Sequence, residues 1–152
     1  MNAKEYLSQA WWLDQIINQN LEEQERLKAM AEKVTLKFDD VKVSGGEKKN
    51  TREENNVKLI DLKHKTNEMT DRYVDLRTEI MGTIHQLEEM NYQLLLRMRY
   101  ISRKSWDEIA ASLGYDKRYI MKLHARALKK IDAILKEDTK RHRKTPGECG
   151  IV

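Results

Sequence analysis

The residues Lys117, Arg118, Met121, Lys122 and Ala125 lie in the stretch DKRYIMKLHARALKK, at steps of one, three and four. On a helix those steps gather side chains on one side. An arginine presents a planar fork of N–H donors that matches two adjacent acceptors, whereas lysine is a mobile point charge. Met121 and Ala125 add small apolar surface between the cations. A second set, Arg103 and Lys104 upstream with Arg126, Lys129 and Lys130 downstream, offers charge without the same close spacing. Together these residue types suit a polyanion: the first set for base edges, the second for phosphates.

Elements must hold those residues in place, and the flanking sequence supplies them. Ile120, Leu123, Ala127, Ile131 and Ile134 recur at steps of three and four and predict the buried side of the same helix. Before it, Ser105-Trp106-Asp107-Glu108 has the spacing of a capping box, with Trp106 shielding the capped turn. Ile109, Ala110 and Leu113 then form the inner side of a short helix. Gly114 is suited to the left-handed conformation that ends it, and Asp116 to capping the next. Two helices joined by a glycine turn, the second one basic, form a helix-turn-helix pattern. Its second helix, over 117–131, is expected in a DNA major groove. Lys117, Arg118, Met121, Lys122 and Ala125 would read bases, and Arg103, Lys104, Arg126, Lys129 and Lys130 would hold phosphates. Tyr115 and Tyr119 are expected to pack, and His124 to be a satisfied helix histidine.

Charge along the chain agrees. Residues 97–144 hold 15 Lys and Arg against 6 Asp and Glu, a net charge of +9. The remainder holds 14 against 19, a net of −5, within an overall +4. A basic block on an acidic scaffold points to a separate anion-binding module.

That scaffold predicts two long helices. Leu7, Trp11, Leu13, Ile17, Leu21, Leu27, Met30 and Val34 mark a stripe over about 3–34. Val57, Ile60, His64, Tyr73, Val74, Ile80, Ile84 and Leu87 mark another over about 53–89, with His64 as a polar core position. The adjacent Trp11 and Trp12 point to two different surfaces. Ser44-Gly45-Gly46 and the polar run after it predict a flexible connector over 39–52. Phe occurs once and Pro once, so the expected fold is all-α: a coiled-coil-like helical hairpin over 1–90, a helix-turn-helix over 91–136, and a disordered basic tail over 137–152. Helices of roughly 45–55 Å in so thin a hairpin have little interior of their own, which predicts a homodimer.

Other chemistry finds little footing. Cys149 is the sole cysteine and reads as an incidental thiol near the end. No residues gather at metal-ligand spacing, no nucleophile has a base at a supporting position, and the capping box accounts for the Asp107-Glu108 pair. The expectation is therefore no enzyme, no cofactor, no metal and no small-molecule substrate. With no leader pattern and no apolar run near 18 residues, it is also of no membrane association and a cytoplasmic location.

The stretches LRMRY and SWDEIAASLGYDKRYIMKLHARALKKI resemble region 4 of bacterial sigma factors. MNAKEYLSQAWWLDQIINQNLEE resembles a phage and prophage family of Gram-positive bacteria that carries such a helix-turn-helix at its C-terminus. In layout the chain is similar to the ArpU and RinA late-transcription regulators, and the resemblance covers nearly all of residues 1–135. It implies a phage-encoded regulator acting on promoter DNA in a bacterial host cell, with RNA polymerase as a further partner. Sigma-like recognition helices often carry an acidic residue near their second position, where this chain has Arg118. A −35-element preference therefore does not carry over, and nothing resembles the promoter-melting region. Two other classes fit the same residues: a DNA-packaging component similar to a small terminase subunit, and a module whose basic helix binds an acidic host protein.

Overall fold

Good helix formers dominate this chain and β-branched residues are few, and the fold is all-α. The computed structural model describes the backbone over residues 1–40 and 46–144, and the side chains over 1–33 and 52–143. Its helices are α1 (Ala3–Asp40), α2 (Gly46–His85), α3 (Met90–Leu96), α4 (Trp106–Leu113) and α5 (Lys117–Lys144), with a π-helical turn at Arg97–Ile101 after α3. No strand occurs among the described residues.

The boundaries depart from the sequence expectation in instructive places. Residues 39, 40 and 46–52 of the expected connector are helical, and 41–45 lie outside the described residues. Once past the glycines, the Glu- and Lys-rich run carries no turn signal to compete with its helix propensity. Likewise α5 continues to Lys144 through much of the expected tail. Thr139 Oγ1 donates to Leu135 O at 2.8 Å and His142 Nδ1 to Asp138 O at 3.0 Å, so polar side chains satisfy the backbone there instead of interrupting it. Residues from 145 on, Cys149 included, lie outside the described residues. Helix α2 stops before the expected Glu89. Gln86 N donates to Thr83 O and Leu87 N to Ile84 O, three-residue bonds that tighten its last turn.

The chain divides into two compact units. One comprises Trp12–Val74. Its interior runs along Ile17, Asn20, Gln24, Leu27 and Ala31 of α1 and Leu59, Leu62, Thr66, Met69 and Tyr73 of α2, all buried or half-buried. Both series step alternately by three and four, the register of a coiled coil. Gln24 Nε2 donates to Thr66 Oγ1 at 2.9 Å and Asn20 Nδ2 approaches Met69 Sδ at 3.4 Å, pairing the two segments antiparallel. This corrects the expected stripe. Leu21, Met30, Val57, Ile60 and Val74 are exposed, and His64 is exposed rather than a core residue. Val34 belongs to the residues whose side chains are not described. Trp12 is 61% exposed.

The other unit joins Met1–Trp11 to the chain from Asp75 on. Leu7, Ile80, Ile84, Leu95, Leu96, Ile109, Ile120 and Ile131 are fully enclosed in its core. Burying each is worth about 1.5–3 kcal/mol, which sets α5 firmly against α3 and α4. Asp132 of α5 caps the start of α1, accepting from Ala3 N at 2.7 Å. Tyr6 Oη lies 3.0 Å from Thr83 Oγ1, which itself donates to Glu79 O, so the phenol is the donor of that pair.

Candidate nucleic-acid interface

Helix α4 begins at a complete capping box. Ser105 Oγ accepts from Glu108 N at 3.2 Å and Glu108 Oε2 accepts from Ser105 N at 3.0 Å. It ends at Gly114, whose φ of 72° is left-handed and whose N–H donates to Ala110 O. Asp116 then starts α5: its Oδ1 accepts from Tyr119 N at 2.8 Å. A turn of three residues, Gly114 to Asp116, thus separates two helices that pack on each other.

Along α5, Ile120, Leu123, Ala127 and Ile131 are buried. Lys117, Arg118, Met121, Lys122, Ala125, Arg126 and Lys129 are exposed. Met121 is 43% exposed, a sizeable apolar area for a position between cations. Lys117 Nζ sits 3.4 Å from Asp107 Oδ1, but both side chains are mostly in solvent, and such a pair is worth about 1 kcal/mol at most. Arg118, Lys122, Arg126 and Lys129 have no ion pair among the described residues. Tyr115 and Tyr119 pack edge to face on each other, with centroids 4.9 Å apart, and stay partly exposed.

The expected phosphate contacts are placed less uniformly. Lys130 is hydrogen-bonded to Glu89 just before α3 and lies over the Tyr92 ring at 5.6 Å. That hydrogen bond holds the Lys130 ammonium above its ordinary pKa and the Glu89 carboxyl below its own. Lys130 is therefore engaged within the unit, whereas its neighbour Lys129 is not. Arg103 and Lys104 follow the π-helical turn. Arg103 has a φ of 62°, rare for a residue with a Cβ, and its guanidinium lies 4.6 Å from the Trp11 ring centroid. Lys104 is half-buried; its carbonyl accepts from Arg99 Nη1 at 3.2 Å, and its N–H donates to Met98 O.

Behind the exposed face of α5 lies a cluster that sequence reading left unassembled. His124 is buried, its Nε2 2.7 Å from Tyr100 Oη and its ring edge-on to Trp106 at 4.7 Å. Burial, then the charges of Lys4 and Arg99, push the imidazole down to about 4, so it is neutral near pH 7. Burial pushes the Tyr100 phenol up, and it stays protonated and donates to the unprotonated Nε2. Arg99 lies 4.4 Å over the Trp106 ring. From the sequence His124 reads only as a satisfied helix histidine at the boundary of the faces of α5, because its partners come from other elements.

No helix among the described residues is long and apolar enough to cross a membrane. No curated protein and no solved structure matches the chain. Residues 33–132, which take in the end of α1, all of α2, α3 and α4 and the first part of α5, match the family described as protein of unknown function (DUF1492), and the chain belongs to that family.

Proposed function

We propose that the chain is a DNA-binding transcriptional regulator of the phage type, with α4 and α5 acting as a helix-turn-helix and the first half of α5 lying in the major groove. The observation that carries this reading is the state of α5. One side is held by four buried residues, Ile120, Leu123, Ala127 and Ile131, while Arg118, Lys122, Arg126 and Lys129 on its exposed sides lack any ion-pair partner among the described residues. A rigid rod with unneutralised cations suits a duplex, whose phosphates would replace the missing counter-charges. Arg118, near the start of the helix, is suited to a bidentate contact with guanine, and Met121 and Ala125 to a thymine methyl. Arg126 and Lys129 are suited to phosphates. Lys130 drops out of that set because it is already bonded to Glu89.

Homodimerisation is part of the proposal. In the Trp12–Val74 unit, Trp12, Ile16, Leu21, Met30, Val57, Ile60 and Val74 are all roughly half exposed or more, an unusual load of apolar surface for two thin helices. A second copy is the occupant that suits a self-complementary regulator. RNA polymerase contact rests on the resemblance to sigma region 4 alone.

The test is binding of the full chain to duplex DNA at low salt, by fluorescence anisotropy, beside a Lys117→Ala, Arg118→Ala, Lys122→Ala triple variant. Binding by the wild type and its loss in a folded triple variant is the expected result. Equal binding by both proteins would remove α5 from the interface, and a large ring in solution would favour a packaging role.

A further inference from the structure

Tyr115 and Tyr119 stand at the start of α5, and their rings meet edge to face with centroids 4.9 Å apart. Each otherwise faces solvent: Tyr115 is 42% and Tyr119 40% exposed, so packing within the unit uses only part of either ring. Neither hydroxyl has a hydrogen-bond partner among the described residues. Their backbones are nevertheless pinned. Tyr115 N donates to Ala110 O at 3.2 Å, directly after the left-handed Gly114, and Tyr119 N donates to Asp116 Oδ1 at 2.8 Å. Two rings braced on each other and on a fixed backbone give up little freedom when a partner arrives.

Their position points to the partner. Tyr119, Lys122, Arg126 and Lys129 follow at steps of three, four and three, which lines them up in one row along α5, and all four are exposed. The row stands clear of the buried Ile120, Leu123, Ala127 and Ile131. Tyr119 thus extends a line of cations towards the end of the helix where Arg118 lies, and Tyr115 is in contact with it. A tyrosine hydroxyl held beside such cations suits a phosphate oxygen, because it donates one hydrogen bond to a group that only accepts. A duplex strand offers acceptors of this kind at regular spacing.

We propose that Tyr115 and Tyr119 are backbone contacts to duplex DNA, each hydroxyl donating to a phosphate oxygen. This rests on the reading of α5 as the DNA-facing helix and adds an uncharged part to that interface. The pair fixes the register of the first turn of α5 on the duplex, while the cations supply the attraction. Contacts to phosphate are blind to sequence. An uncharged donor also displaces no counter-ion, so it strengthens binding without steepening the salt dependence.

Anisotropy titration of the full chain with two duplexes of unrelated sequence, over a range of salt, tests the assignment. Tyr115→Phe and Tyr119→Phe remove only the hydroxyls, keep the paired rings and should leave the melting temperature unchanged. In one chain they should weaken binding about tenfold, equally on both duplexes, with the wild-type slope of log K against log salt. Lys122→Ala, measured alongside, should give a shallower slope. Wild-type affinity in the double phenylalanine variant overturns the proposal and leaves the reading of α5 standing. A loss on one duplex only overturns it too, since the tyrosines would then read bases, as does a shallower slope in the double variant. A wild type without salt-dependent duplex binding sinks both the proposal and that reading.

Discussion

Acidification should weaken the α5 unit through one residue, His124. Its folded pKa of about 4 lies below the ordinary value of 6.5, first because burial desolvates the charged ring and then because Lys4 and Arg99 repel it. Between those two values the unfolded chain binds the proton more readily than the folded one. The contribution is therefore complete above about pH 6.5, lost progressively as pH falls toward 4, and flat below. If fully expressed the difference is worth about 3 kcal/mol. Solvent screening at a ring that keeps some contact with water reduces it to about 1–2 kcal/mol. Chemical denaturation of the wild type and of His124→Gln from pH 8 to pH 4 isolates this from the carboxylates, which titrate alike in both. Glutamine can still accept from Tyr100, so the gap between the two proteins should narrow by about 1–2 kcal/mol on acidification. A gap independent of pH, or a His124 ring that titrates near 6.5 by NMR, would refute the assignment of a neutral, field-depressed imidazole.

Three further outcomes follow from the turn and the helix it launches. Ser105→Ala removes the Oγ that accepts from Glu108 N and should cost about 1 kcal/mol in thermal or chemical unfolding; the bond from the backbone N–H of residue 105 to Glu108 Oε2 survives it, so Glu108→Ala in the same chain should add a further, smaller loss. At Gly114 a Cβ would meet nothing within 4 Å, so Gly114→Ala should cost only the left-handed backbone term, about 1–2 kcal/mol, with no loss of packing in the unfolding curve. Arg118→Ala should cost about 1–3 kcal/mol on a selected operator and much less on random duplex, measured by competition; equal losses would make Arg118 a phosphate contact.

Legibility differed sharply along the chain. The capped turn and α5 were readable because Ser105, Glu108, Gly114 and Asp116 act on the backbone within a few residues, and because Ile120, Leu123, Ala127 and Ile131 are both apolar and buried. The long helices were found, but their register was not. Val57, Ile60 and Val74 drew the expected stripe outward, whereas the true interior passes through Asn20, Gln24 and Thr66. A polar interior satisfied by its own hydrogen bonds leaves no hydrophobic period to follow. The π-helical turn left no signal in residue type, and its consequence, Arg103 carried onto Trp11, joins residues some ninety positions apart. The engagement of Lys130 with Glu89 was hidden for the same reason: local spacing places a lysine on a face but cannot say which distant carboxylate it meets.

The central claim is that the exposed cations of α5 displace counter-ions from a duplex. Its most direct test is the dependence of duplex affinity on salt, for the wild type and the Lys117/Arg118/Lys122 triple alanine variant. With six to ten phosphates neutralised per dimer, log K should fall against log salt with a slope of roughly −5 to −9, and the variant should show a clearly shallower one. A wild-type slope near zero, or the same slope in both proteins, would contradict the account.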